Sequence, residues 1–591
     1  MILWLGRPQA TNLRIFLLLV LFFSSFSLRA EQDSAGSAEL DRLVAVAKTW
    51  ATIKYFHPFL ADGTIDWDKA LLEALPRIRA ARDTEEYRGA VGTMLSVLQD
   101  PLTRVLSPGE KVGVPSDLAP QRTRIHHGLT PYTHTWRGFY SGVVERSAAP
   151  VSMMSQVLAS DLVASIRLSE PVIKGAPRVV SSNPDRDYAE DAFPSTELRL
   201  LSAFRLWGAV HYFFAYKDLM DEDWDAAFSR LLPKFLSARD ALEYNLAVSE
   251  LVKTLADSHA TVESAELKQY FGESPLGLRL RLVDRKPVIT EVLDPEAKAK
   301  GVRIGDLLTK MNGEPFPERV RRQASYISGS TQQSLGVLVC DRVLKGAERS
   351  SAVLTTTASD GSSKEMALSR SAAYAASLVP QRSGAIVRIL PGKIGYLDMD
   401  RLEESAVPSA FDKLRDTVGI MFDLRGRFLP NAPSLASRLN SKPNVTAVIV
   451  NGPVLLEPDA PHTGADSYSA SYFSSTVVPR SDLPKYKGKV VALIDERTAG
   501  ASELAGLFLE AATKVDFVGS PSAGGVGEST DLALPGGILV SFSGQDVRHA
   551  NGGPIQRLGI QPNVSAPPTL EGIRSGRDEA LAKALGSFTE Q

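Results

Sequence analysis

The chain has 591 residues, too many for one hydrophobic core, and its length implies roughly three to five domains. With 44% hydrophobic and 23% charged residues and a formal net charge of −2, it has an ordinary globular composition and no electrostatic footprint for nucleic acid or an anionic membrane surface. The single cysteine, Cys340, excludes an internal disulfide or a cysteine metal cluster, and eight histidines without a His-Glu-x-x-His pattern give no reason to expect a metal or cofactor.

Residues 1–30 read as a targeting segment. Arg7 and Arg14 precede the apolar run 15–23, and Leu28-Arg29-Ala30 precedes the acidic Glu31. This predicts a signal peptide cut near Ala30, a secreted or periplasmic protein, and no stable membrane insertion afterwards; a retained anchor is the other outcome. Helical periodicity then dominates 31–108 and returns over 195–270. Trp50 matches Trp207, Tyr55 matches Tyr212, Trp67 matches Trp224, Tyr87 matches Tyr244 and Asp100 matches Asp257, each pair 157 positions apart. This predicts a duplicated helical module. The copies differ at their ends: Ser258-His259-Ala260 stands where the first copy has Pro101-Leu102-Thr103. A lone histidine there reads as an interior residue, but a Ser-His pair in one copy only points to chemistry. Between the copies, 109–194 is a mixed β and linker region, with a strand over 162–168 and a polar linker over 181–194.

Residues 271–371 carry short strands and turns. A strand over 288–293, a short helix from Ala297, a Gly305-Asp306 turn, a strand and an Asn312-Gly313 hairpin turn resemble the core of a PDZ domain. Leu276-Gly277-Leu278 is its candidate peptide-binding loop. From 372 to 591 strands and helices alternate: strands over 394–399, 419–426, 448–450, 490–494 and 515–519, and a helix near 408–417. The fold class expected is multidomain α+β and α/β, with a largely parallel or mixed C-terminal sheet. Ser502 falls on the turn between the strand 490–494 and a helix over 504–512. It reads either as an N-cap or as a nucleophile mounted near the positive end of a helix.

Taken in order, Leu-x-Asp-Ser-His, the PDZ-like stretch, Ile-Gly-Tyr-Leu, Phe-Asp-Leu-Arg-Gly, Thr-Ala-Gly-Ala-Ser-Glu, Val-Gly-Ser-Pro-Ser-Ala-Gly and Gly559-Ile560-Gln561-Pro562-Asn563 resemble the C-terminal-processing and tricorn-core family of serine peptidases over about 195–585. The resemblance implies that 372–591 is an α/β peptidase core, that Ser502 is the nucleophile and His259 the general base, and that Ser258 orients His259. It also implies oxyanion donors at the N–H of Glu503 and at Gly426 or Arg427. The Ser-Lys arrangement of the family is disfavoured, because Ala523-Gly524-Gly525-Val526-Gly527 holds no lysine. Gln556 stands where the family carries a glutamate, with Glu528 as a conceivable substitute. After Gly426 the segment Arg427-Phe428-Leu429-Pro430 replaces the family's glycine pair. The expected activity is hydrolysis of extended or unfolded polypeptides, falling at acid pH as the histidine base protonates. The alternatives on the same fold are a catalytically weak relative that binds peptides, or a carrier of small apolar ligands.

Overall fold

The computed structural model describes residues 36–60, 64–110, 122–127, 140–145, 154–159, 162–167, 169–170, 180–181, 185–375, 382–426, 432–455, 458 and 470–589. The signal-peptide expectation lies outside them. No helix among the described residues is long and apolar enough to cross a membrane.

Two sets of helices share one core. The first comprises a helix over 36–56, then Trp67–Ala80 and Thr84–Ser96; the second comprises Thr196–Phe213, Trp224–Ser237 and Ala241–Lys253. Four of these helices start after an aspartate whose carboxylate accepts an N–H of the first turn: Asp66, Asp83, Asp223 and Asp240. Such caps satisfy donors that the helix itself leaves open. The sets meet through matching positions. A Cβ at Gly208 would lie 2.8 Å from the Cβ of Ala51, so only glycine allows this close crossing. The Tyr55 and Tyr212 rings meet edge-on at 5.7 Å. Arg205 pairs with Asp68, as Lys48 pairs with Asp225 at 2.6 Å.

Each set ends in a short strand, Arg104–Val105 or Thr261–Glu263, that borders a hairpin. Arg104 pairs with Ser165 and Val105 with Ala164; 157 positions later, Thr261 pairs with Ser541 and Val262 with Val540. The region read as mixed β and linker thus supplies the first hairpin, Met154–Ala159 with Leu162–Arg167. It also supplies strands Arg122–His127 and Tyr140–Glu145 to a seven-stranded sheet.

The segment from Leu278 to Ser369 forms an antiparallel sheet in the order Ser363–Ser369, Ser351–Thr357, Leu307–Met311, Lys286–Val292, Leu278–Val283. Asn312 and Gly313, both at positive φ, turn the chain between Met311 and Glu314 as the Asn-Gly signal requires. Leu278–Val283 ends the sheet and packs on the helix Gln332–Val343.

The C-terminal layer is a six-stranded sheet in the order Val387–Leu390, Ile394–Asp398, Gly419–Asp423, Lys489–Ile494, Val515–Gly519, Val564–Ser565. All but the first pairing are parallel. The strands Ile394–Asp398 and Gly419–Asp423 are buried at every residue, which explains their unbroken apolar runs. One expectation is corrected here. Residues 448–450 belong to the strand Thr446–Leu455, which pairs antiparallel with Ala470–Val477 and Asp546–His549 in the seven-stranded sheet. An apolar run marks a buried strand but does not say which sheet buries it.

Candidate active site

Two parallel strands end in buried aspartates and a third is followed by one, and each is held by arginine. Asp398 meets Arg382 and Arg401, Asp423 meets Arg425, and Asp495 meets Arg497 and Arg281. The first turn beyond Asp495 is fixed further by Thr498, whose hydroxyl donates to the Leu424 carbonyl at 3.1 Å. Gly500, at φ +54°, then caps the helix Ala501–Ala512. Ser502 is the second residue of that helix, not its N-cap, because its hydroxyl does not return to a helix N–H. It is fully buried and donates to the carbonyl oxygen of Gly426 at 2.8 Å. The Gly426 N–H bonds to Leu424 at 3.0 Å. The expected oxyanion role of Gly426 is therefore corrected for this state: its donor is committed, and its acceptor holds the Ser502 hydroxyl. The alternative donor at Arg427, with Phe428, Leu429 and Pro430, lies outside the described residues.

Glu503 is wholly buried. Its carboxylate accepts from the Ser522 hydroxyl, from Gly524 N–H at 2.6 Å and from Gly525 N–H at 2.9 Å. Burial pushes this carboxyl above its ordinary range, while the three donors and the nearby His259 pull it back. Its side chain pins the glycine turn 522–525, and its N–H has no partner among the described residues. Gly525 connects the two halves of the site. Its carbonyl accepts from Gly500 N–H at 3.0 Å, and a Cβ on it would touch the Ser258 Cβ at 3.1 Å.

His259 Nδ1 lies 3.0 Å from Ser543 Oγ, and Ser543 Oγ donates to Asp257 Oδ1 at 2.9 Å. The buried carboxylate only accepts, so the Ser543 proton goes to Asp257 and Ser543 must accept from Nδ1–H. This leaves Nε2 with its lone pair, the form a general base needs. Asp257 also accepts from Ser543 N–H at 2.8 Å, His259 N–H at 3.2 Å and Gln556 Nε2 at 3.3 Å.

Two expectations are corrected by these bonds. Ser258 does not orient His259: its hydroxyl donates to Ser334 and accepts from Ser330 N–H at 2.9 Å. Gln556 bonds to Asp257 and to the Ser330 hydroxyl, not to the serine or the imidazole of the Ser-His pair. A glutamate at 556 would set a second carboxylate against buried Asp257, so an amide donor is the compatible residue. Glu528 directly precedes the strand Ser529–Leu534, its backbone held by Gln545 and Gly544. Leu276 and Leu278 are buried in the core beneath the sheet, and the Gly277 carbonyl accepts from Leu293 and Asp294 N–H. The loop therefore presents neither leucine side chain to a peptide.

Sequence reasoning missed Asp257, Ser543 and the serine-rich turn 328–331. Asp257 stood inside the Leu-x-Asp-Ser-His string and was readable. Ser543 carried no signal, because only the fold brings its strand beside Asp257. Ser328 accepts from Asp257 N–H, and Thr331 and Gln333 bond to Ala523 and Ser522 carbonyls. With Arg281 reaching Glu496 at 2.7 Å, the 278–369 domain braces the site on two sides.

Asp400 lies against Gly426, where an added Cβ would collide with its carboxylate. Burial, with Asp398 and Asp423 nearby, pushes its carboxyl up to about 6 against the pull of Arg382. The folded state thus holds this proton to higher pH than the unfolded chain does, and stability falls as pH rises from about 4 to about 7, by up to about 3 kcal/mol. Urea unfolding at pH 4.5 and 7.5 should show Asp400→Asn gaining on the wild type at the higher pH. An equal difference at both pH values would dismiss the effect.

Residues 393–566 match the family model for peptidase family S41. That matched segment spans most of the parallel C-terminal sheet, and the likeness to the family is carried there. Mature CPAF, solved in complex with lactacystin, aligns with a TM-score of 0.51 at 12% identity, covering 66% of this chain and 97% of that one. At that identity the likeness concerns the fold. The photosystem II D1 C-terminal processing protease aligns at a TM-score of 0.38 and 17% identity, covering 65% and 98% of the two chains. The tricorn protease aligns at 0.30 and 12%, covering 80% of this chain and 46% of its own. No curated protein sequence matches the chain.

The first helical set holds a counterpart to the Asp257–Ser543–His259 arrangement. Asp100 accepts from Arg167 Nε at 3.0 Å, from the Thr103 hydroxyl at 2.7 Å and meets buried His57 at 3.2 Å. Arg167 occupies the strand position that Ser543 occupies beside Asp257. Burial opposes ionisation of Asp100, but the bonds from His57, Arg167 and Thr103 outweigh it and hold the carboxyl below its usual range. The first framework is thus closed by a guanidinium.

Proposed function

We propose that the chain is a serine peptidase acting on extended polypeptides, with Ser502 as nucleophile and His259 as general base. The observation that carries this reading is the Asp257–Ser543–His259 relay, which presents a basic Nε2 on the loop that Gly525 joins to the Ser502 turn. For attack, the Ser502 hydroxyl leaves the Gly426 carbonyl and gives its proton to Nε2 as Oγ bonds to the scissile carbonyl carbon. The developing oxyanion meets the Glu503 N–H at the helix start, where the dipole favours negative charge. His259 then protonates the leaving amine, and water completes hydrolysis of the acyl-enzyme by the same steps. Asp257, through Ser543, holds the imidazole and stabilises its charged form; Ser258, Ser330 and Gln556 hold Asp257 and the loop.

The helical sets are read as a duplicated module packed about a pseudo-twofold axis. Their matched caps, the reciprocal pairs Lys48–Asp225 and Arg205–Asp68, and matched hairpins support this. The 278–369 sheet is read as PDZ-like, with Leu278–Val283 and the helix Gln332–Val343 flanking its groove. Export is read from residues 1–30 alone. A fluorophosphonate probe should label the wild type at Ser502 and leave Ser502→Ala unlabelled, with His259→Ala labelling far more slowly than the wild type. Labelling elsewhere, or none, would overturn the assignment of the nucleophile.

A further inference from the structure

A cavity of about 380 Å³ lies between the two walls that meet at the site. One wall is the end of the helix Ala241–Lys253, the strand Thr261–Glu263 and the helix Ala265–Phe271; the other is the turn 326–328 and the helix Gln332–Val343. Ser258, adjacent to His259, is part of its lining. Four cations line it, Lys253 and Lys268 on one wall and Arg342 and Lys345 near the other, against two carboxylates, Glu263 and Glu273. None of the four cations makes an ion pair among the described residues. The Arg342 guanidinium lies 4.8 Å from the centre of the Phe271 ring. Burial pushes its pKa down, and no carboxylate among the described residues opposes the shift. A partly desolvated guanidinium without an acid partner is costly unless a ligand brings the anion.

The strand Thr261–Glu263 ends its three-stranded sheet, pairing only with Ile538–Ser543. Its outer edge therefore offers backbone groups to another extended chain. That edge begins two residues after His259, so a strand laid along it leads toward the proposed site. The cations are spread over both walls, which suits several side-chain carboxylates on a passing strand. A single terminal carboxylate is more commonly caught by converging backbone N–H groups.

We propose that this cleft is a specificity subsite for an extended polypeptide segment carrying Asp or Glu side chains, laid along Thr261–Glu263 with carboxylates on Arg342 and Lys345. The proposal rests on the peptidase reading for its purpose, but its binding is testable without turnover. Fluorescent peptides, C-terminally amidated and differing only in Glu or Gln at alternate positions, are titrated by anisotropy against the Ser502→Ala protein. The Glu peptide should bind roughly tenfold tighter at low salt, with the advantage shrinking as salt rises. Arg342→Gln with Lys345→Gln should reduce the preference to less than about threefold while leaving Gln-peptide affinity unchanged, which also reports an intact fold. Lys253→Gln with Lys268→Gln, on the opposite wall, should reduce it in the same direction. Equal binding of the two peptides, a preference that survives both double variants, or a preference seen only with a free C-terminal carboxylate would overturn the subsite. If the wild type cleaves nothing, the peptidase reading fails while the anisotropy result still decides the cleft.

Discussion

Ser502→Ala and His259→Ala should each lower peptide hydrolysis by on the order of 10⁴–10⁶-fold in kcat, and the double variant should be little worse than either. Nucleophile and base act as one unit, so removing either stops the same proton transfer. The measurement is turnover of an unfolded protein substrate, with near-unchanged thermal unfolding as the control for folding. Additive losses in the double variant would mean that the two side chains act separately. Residual activity near the wild-type level in Ser502→Ala would remove this serine from the reaction.

The second large effect concerns the relay. Asp257→Asn should lower kcat by about 10²–10⁴-fold, because the amide can donate to Ser543, turn its hydroxyl toward Nδ1 and favour the tautomer with the proton on Nε2. Ser543→Ala should cost roughly 10–100-fold, since the imidazole loses its orienting acceptor but Asp257 remains 3.9 Å away. Ser258→Ala should cost less than about tenfold, because its bonds run to Ser330 and Ser334. A merely structural role would change stability and KM together with kcat. The relay predicts instead that kcat falls while KM and thermal unfolding stay near the wild type in Asp257→Asn and Ser543→Ala, and that Ser543→Thr restores kcat. An unchanged kcat in both variants would dismiss Asp257 and Ser543 as positioning residues.

The same relay separates what was legible in the sequence from what was not. Ser502, His259 and Asp257 sit in short strings whose residue types announce chemistry. The link between them does not, because Ser543 reaches Asp257 across 286 positions. Ser258 shows the opposite failure. Its adjacency to His259 suggested an orienting partner, yet successive residues in this turn point to different neighbours, and its hydroxyl was taken by the 328–334 turn. The run at 448–450 likewise announced a strand but not its partners.

The sequence by itself determined the local states. Apolar runs set the buried parallel strands, aspartates before amphipathic stretches set the helix starts, and Asn312-Gly313 set a hairpin, because each depends on neighbours within a few residues. Only the tertiary structure decided which groups meet. Pairing of Arg122–His127 with a strand more than 300 positions away, closure of the first helical set by Arg167, the choice of Gln556 beside Asp257, and the parking of Ser502 on Gly426 all depend on long-range register and on burial. Those quantities arise from packing the whole chain, where one carboxylate excludes a second and one committed N–H withdraws a donor.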